Sequence, residues 1–262
     1  MVLRALWNSK SAMAAQQEKL DCISNNIANV NTDGYKREGV NFQDLVYEKL
    51  NRLGYPTSPN AKSPQLNGVG VKIGSVVRDN SQGDLMQSSS NTDLAIDGKG
   101  YYRVIRPDGS YAYERNGNFN IDSLGRLVDK IGNILDIDYT QEGNNINNSG
   151  GISSDNFSVN QNGEISVKKN TDNIAYGKIN IYNSVGDNSM ISAGNNLYIP
   201  KTGSNIYVEN DSNVLQGYKE ISNVDISKEM TDIIIAQRSF ELSSKGINTA
   251  DEMWGLINNM KR

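Results

Sequence analysis

The chain has 262 residues, 37% of them hydrophobic and only 7% aromatic, with a net charge of −4. Acids and bases are interspersed, so no basic face argues for nucleic acid or anionic lipid, and the absence of histidine removes Ser-His-Asp and Cys-His nucleophiles and most zinc sites. Cys22 is the sole cysteine, so an intrachain disulfide is excluded.

The length allows one large domain or two to three small ones. Val2-Leu3 and Ala5-Leu6-Trp7 are apolar, but Arg4 and Asn8-Ser9-Lys10 interrupt them, so no signal-peptide core follows. No run approaches the ~18 apolar residues of a membrane helix. The expectation is a cytoplasmic protein, or one exported without a cleaved signal, and no membrane insertion.

Residues 1–34 read as the first element. Val2, Leu6, Ser9, Met13, Gln16, Leu20, Ile23, Ile27 and Val30 recur at alternating steps of four and three, a heptad seam on a helix. Asn29 to Tyr35 carries turn chemistry, with a left-handed stop expected at Gly34. Ser24-Asn25-Asn26 is unusual inside a helix, because such side chains compete for backbone hydrogen bonds. These amides suggest contacts to neighbouring subunits or fraying. Cys22, beside the stripe, reads as a small interface residue.

Residues 35–84 read as an extended connector. Val40, Phe42, Leu45, Val46 and Leu50 form a short mixed pattern, broken by Leu53 to Pro59, with Pro64 beyond. Gly68-Val69-Gly70-Val71-Lys72-Ile73-Gly74 lacks the dinucleotide-binding spacing and no helical pattern follows it, so its alternation indicates a strand.

Residues 85–215 read as a β-rich antiparallel domain. Tyr101–Ile105, the Pro107-Asp108-Gly109 turn, and Tyr111 with Tyr113 make a hairpin. Phe119-Asn120-Ile121-Asp122-Ser123-Leu124-Gly125-Arg126-Leu127 shares its frame with Phe157-Ser158-Val159-Asn160-Gln161-Asn162-Gly163-Glu164-Ile165, a repeated hairpin. Asn118, Asn120 and Asp122 alternate, but neither segment has the Gly and acid of a calcium-binding EF-hand loop, so turns explain them. Gln141–Ser154 is a polar excursion. Lys178–Tyr182 and Leu197–Pro200 read as strands, Lys201–Asn213 as polar loop, and Val214–Lys219 as the return of the chain.

Residues 216–262 hold the last helix. Ile226, Met230, Ile233, Gln237, Phe240, Ser244, Ile247, Asp251 and Trp254 repeat the steps of the first seam. Polar Gln237, Ser244 and Asp251 recur every seventh residue, which lowers pairing strength but fixes register. At 1.5 Å per residue each helix reaches roughly 45–60 Å. Two readings follow: amphipathic helices packed on a globular core, or a coiled-coil pair formed by the two ends and displayed for assembly. Pairs such as Asp136 and Asp138, or Glu241 and Asp251, have no pocket to place them in, so a non-enzyme without cofactor or metal is expected.

Leu20 to Arg37, with Asn25, Asn26, Asn29, Asn31, Thr32, Gly34 and Tyr35, resembles the N-terminal signature of bacterial flagellar rod and hook proteins. Ser222 to Ile226 with Asn223, Glu229-Met230, Ala236 to Glu241 with Gln237 and Arg238, and Thr249 to Met253 resemble that family's C-terminal signature. The opening Arg4-Ala5-Leu6-Trp7 and the length are most similar to distal rod members, with proximal rod or hook members as the alternative. The resemblance implies an α+β fold in which the terminal helices pair as a coiled coil beside a central antiparallel β-rich domain. It implies self-assembly into a helical hollow shaft that transmits torque, with about residues 38–70 lying between subunits. The implied partners are other rod subunits, hook subunits, basal-body ring proteins and the flagellar type III export apparatus, in the flagellar basal body. A soluble binding or enzyme module, with the helices packed on a β-core, is the competing class.

Overall fold

Two long helices bracket the strands of this chain: α1 spans Val2–Ala28 and α2 spans Ile226–Asn259. The computed structural model describes residues 2–45, 47–49, 66–141, 143, 152–153, 156–169, 172–186 and 189–260, the side chains of 2–4, 47–49, 66–67, 169 and 172 excepted. The fold is α+β, and the strand pairs described are antiparallel. Leu53 to Pro64 and most of Gln141–Ser154 lie outside the described residues, as do Val46 and Leu50.

The chain divides into two compact units. One gathers Met1–Ile27, Glu38–Val77 and Asp225–Arg262; the other gathers Ala28–Arg37 and Arg78–Val224. In the first, Glu38–Asp44 pairs with Val71–Arg78, and Tyr47–Lys49 with Leu66–Gly68. Within the same unit α1 and α2 touch at two places. A side chain at Gly246 would come 2.7 Å from the Ser9 hydroxyl. Farther on, the Asn26 amide donates to Glu229 at 3.1 Å. Both contacts shift by seventeen residues, in opposite chain directions, so the helices run antiparallel.

Local turn chemistry builds the second unit. Four tight loops share one hydrogen-bond pattern: the N–H of Arg106, Asp122, Asp129 and Asn160 donates to the carbonyl four residues on, and the glycine between donates back. Those glycines, Gly109, Gly125, Gly132 and Gly163, have φ of 81, 73, 96 and 78°. A four-residue reversal closed by a left-handed residue is a favoured hairpin loop, and glycine enters that region without a Cβ clash. Both copies of the hairpin frame therefore fold alike: Asn120–Ile121 pairs with Leu127–Val128, and Phe157–Val159 with Glu164–Lys169. The Asp129–Asn133 loop is a further copy of the same device.

These hairpins assemble into a nine-stranded sheet and a four-stranded one. The larger runs Met190–Gly194, Leu197–Pro200, Tyr111–Glu114, Tyr101–Ile105, Ile134–Leu135, Leu127–Val128, Asn120–Ile121, with Ile181–Ser184 branching from Tyr101–Ile105 and Ile206–Glu209 beyond it. Its expected first hairpin holds, with Tyr102 opposite Glu114 and Ile105 opposite Tyr111. Adjacent tyrosines point to opposite faces, as a pleated strand requires. Tyr102 joins Leu94, Ile96, Phe119, Leu127, Ile165 and Tyr176 in the main core. Tyr101 joins Tyr113, Tyr182, Tyr198 and Met190 in a second cluster. Burying each large apolar side chain is worth about 1.5–3 kcal/mol.

Two expectations are corrected. Lys178–Tyr182 is not one strand. Asp172–Lys178 lies in the four-stranded sheet and Ile181–Ser184 in the nine-stranded one, because the chain crosses between sheets where the Ile179 N–H donates to Gly163. Lys201–Asn213 is not all loop, since Ile206–Glu209 pairs with Ile181–Ser184. Its β-branched and aromatic Ile206-Tyr207-Val208 suit an edge strand.

Glu114 is buried in this unit, facing the core side of the sheet opposite Tyr102 and Leu197. Burial raises its carboxyl well above the ordinary value, and nearby Asp129 adds to the rise. The folded state thus holds this proton more tightly than the unfolded chain. The stabilisation is fully present below the ordinary carboxylate pKa and is lost as pH rises through the raised one. Glu114→Gln should flatten that loss: the urea midpoint of the variant should exceed that of the parent at pH 8, with the gap closing as pH falls to about 4.

Candidate assembly interface

The end of α1 is held by its own amides. The Thr32 N–H and hydroxyl both reach Asn29, at its carbonyl and side-chain oxygen, and the Tyr35 N–H returns to Thr32. Gly34 has φ of 69°, and its N–H donates to the Glu220 carbonyl at 2.8 Å. A Cβ there would lie 2.7 Å from the Asn116 nitrogen, so both conformation and space select glycine.

Asn26 is fully buried and spends its amide inside the chain. Its Nδ2 donates to the Glu38 carbonyl at 2.8 Å and to Glu229 Oε2, while its Oδ1 accepts from the Glu38 N–H at 3.0 Å. The expected role of the Asn cluster in subunit contacts or fraying is therefore corrected at Asn26. The side chain imitates a strand partner for the returning backbone, and satisfies a buried carboxylate as well. The Cys22 thiol donates to the same Glu38 carbonyl at 3.3 Å. Glu229, also fully buried, sits in the first turn of α2, which Asp225 caps by accepting from the Ser227 and Lys228 N–H groups at 2.8 and 3.3 Å.

A second polar node lies wholly within the other unit. Glu220 Oε1 accepts from Lys36 Nζ at 2.6 Å and from the Gly83 N–H, while Oε2 accepts from Arg115 Nε at 2.5 Å. Arg115 also donates to the carbonyls of Ile96, Gly98 and Gly100. Burial pushes the Lys36 ammonium below its usual range, against the pull of Glu220. Beside this node, Asn223 accepts from the Arg37 N–H at 2.7 Å and donates to the Asp79 and Ser81 carbonyls. Sequence reasoning reached Asn223 through its motif but passed over Arg115 and Glu220. Charged residues in an alternating strand ordinarily read as a solvated face, and no local signal says otherwise.

The helical seams can now be placed. On α1, Leu6, Met13, Leu20 and Ile27 are half-buried and Ile23 is buried; the side chain of Val2 is outside the described residues, and Val30, expected on the helix, is half-buried in the turn beyond its end. On α2 the covered residues include Glu229, Ile233, Ala236, Phe240, Ser243, Ile247 and Ala250, again at steps of four and three, with Asp232, Ser239, Ser244 and Gly246 half-buried beside them. Ile233, Phe240 and Ile247 of the expected seam lie on this face, whereas Ile226, Met230, Gln237 and Trp254 are exposed in the single chain. Of the signature residues, Asn25, Asn31, Gln237 and Arg238 are exposed, and Arg238 pairs with Glu241 at 2.7 Å. Asn26→Ala leaves Glu229 buried without its amide and should cost about 2–4 kcal/mol, read as a lower melting temperature of the helical signal.

Three family models match the chain. Residues 6–36 match "Flagella basal body rod protein", 95–167 match "Flagellar hook protein FlgE/F/G D1 domain", and 215–260 match "Flagellar basal body rod FlgEFG protein C-terminal". The flagellar basal-body rod protein FlgG of Borreliella burgdorferi is 39% identical, with 100% of each chain covered. FlgG of Bacillus subtilis is 34% identical, also over 100% of both. The flagellar hook-basal body complex protein FlhP of Bacillus subtilis is 29% identical over 99% of this chain and 100% of its own.

Proposed function

The chain belongs to the flagellar basal-body rod protein family, and we propose from that premise that copies of it stack helically into the distal rod, a hollow shaft carrying torque to the hook. It is a structural flagellar protein. The observation that carries the reading is the end-to-end likeness to FlgG chains, together with two matched terminal segments whose Asn26 and Glu229 meet in one hydrogen bond. A proximal rod or hook subunit of the same family is the alternative reading, carried by the terminal signature motifs that these proteins share.

In this proposal α1 and α2 pair as an antiparallel coiled coil and form the tube wall. The seam residues pack within and between copies. Small residues at the seam, Ser9, Ala236, Gly246 and Ala250, permit close approach of the helices, and identical copies in contacts that do not close into a ring extend as a filament. Function is then mechanical, and the acids and bases hold the fold rather than a substrate. Partners are other rod and hook subunits, basal-body ring proteins and the export apparatus, with passage to the basal body in unfolded form and without cleavage.

Replacing Ile233 or Phe240 with Asp should abolish rod assembly and swimming while the β-rich unit stays folded. Limited proteolysis of the purified variant checks this. A fragment of about residues 78–224 that resists as it does in the parent supports the division; its loss in the variant contradicts it.

A further inference from the structure

The β-rich unit holds a cleft of about 1030 Å³, the size of the largest small-ligand sites, which run roughly 300–1,000 Å³. Its floor includes Lys36 and Arg115, whose side chains are each only 3% exposed. The Lys36 ammonium donates to the Ser81 carbonyl at 2.7 Å and to Glu220, which leaves its third N–H. Arg115 uses four of its five N–H groups, on Glu220 and the carbonyls of Ile96, Gly98 and Gly100. Neither remaining N–H has a partner among the described residues.

The charges of the cleft cancel. Lys36, Arg78, Lys99 and Arg115 line it together with Asp79, Glu209 and Asp211, and Glu220, bonded to two of the cations, is the fourth acid. A ligand of either net charge is therefore repelled as much as it is drawn. An apolar ligand would strip water from these groups and return no hydrogen bond. A hydroxyl both donates and accepts, so neighbouring hydroxyls can take an N–H from the cations while donating to the carboxylates. The acids keep room for that: Asp79 accepts from the Ser81 N–H at 3.0 Å and Glu209 from Asn183 at 2.9 Å, and a carboxylate has about four acceptor sites. Asp211 and Lys99 stand exposed at the rim.

An aromatic wall completes the lining. Tyr207 is 44% exposed and lies opposite Asn183 across two paired strands, so ring and amide share one face. Tyr101 is buried deeper, its hydroxyl donating to Asn80 at 3.3 Å. A tyrosine offers an apolar ring with a polar tip, which suits the C–H face of a sugar. We propose that this cleft binds an uncharged oligosaccharide, with a sugar ring against Tyr207 and its hydroxyls shared between the Lys36–Arg115 floor and the carboxylates of Glu209 and Asp211. Every lining residue belongs to one unit, and the site goes beyond the rod reading without resting on it.

The test uses the purified full chain, titrated with maltotriose, cellotriose and N-acetylated chitotriose and read by saturation-transfer NMR and calorimetry. At least one sugar should bind with a Kd of about 1 mM or below, and raising sodium chloride from about 50 to about 500 mM should change that Kd less than about twofold, because the ligand carries no charge. Lys36 and Arg115 hold the fold, so the variants are placed at the rim. Tyr207→Ala and Asp211→Asn, both at exposed side chains, should each raise the Kd about tenfold with the melting temperature unchanged. Triglycine and glucuronic acid are the charged controls, and tighter binding of either than of every sugar overturns the assignment. No saturation transfer to any of the three sugars overturns it as well. So does sugar binding that survives intact in both variants, since the sugar then sits elsewhere. None of these outcomes bears on rod assembly, which is scored separately.

Discussion

One carboxamide sets the geometry of the helical unit. Asn26 uses both ends of its side chain, pairing with the Glu38 peptide as a strand would and giving its remaining N–H to Glu229. Those two residues are separated by 203 positions in the chain. A buried carboxylate is costly without a partner, and a buried amide with one hydrogen bond missing is nearly as costly. The hydrogen bond between them helps to satisfy both groups, and it lies where α1 and α2 meet in antiparallel register. Small residues at Ser9 and Gly246 let the same register continue to the far end of the contact.

The β-rich unit is organised by a different polar centre. Glu220 gathers an ammonium, a guanidinium and a peptide N–H, and Arg115 gathers three carbonyls beside it. Charges this deep add little net stability compared with apolar packing, but a chain that fails to bring all of them together leaves one unpaired. The strands on either side depend on the same closure. Tyr218–Glu220 pairs with Leu85–Gln87, and Asn213–Gln216 pairs with Leu94–Asp97, so late chain completes sheets begun more than a hundred residues earlier. Leu94, Ile96 and Val214 of those strands are almost fully buried in the main core.

For a structural subunit the helices are the more telling elements. Each is amphipathic on more than one side: one face is used within the chain, and other apolar residues remain in water. A monomer meant to stay single would cover or replace them. A subunit that stacks must expose them until its neighbours arrive, at the expense of solubility.

Much of the β-rich unit was legible because its signals are local. A loop of four residues ending in glycine needs no distant partner to fold, so the repeated frames at Phe119–Leu127 and Phe157–Ile165 could be read directly as hairpins. The heptad spacing of both helices and the motifs at Leu20–Arg37 and Ser222–Glu241 were equally plain in the residues. Spacing, however, sets a period and not a phase. Rows through Met230, Gln237 and Asp251 and through Glu229, Ala236 and Ala250 have the same seven-residue step, and tertiary contact chose the second, whose alanines allow close approach and whose glutamate has Asn26 opposite. The crossing of the chain at Ile179, the edge strand Ile206–Glu209 and the burial of Lys36, Arg115 and Glu220 were likewise decided only by folding. Each depends on a partner far away in sequence, and no local pattern of residues encodes which distant group will be there.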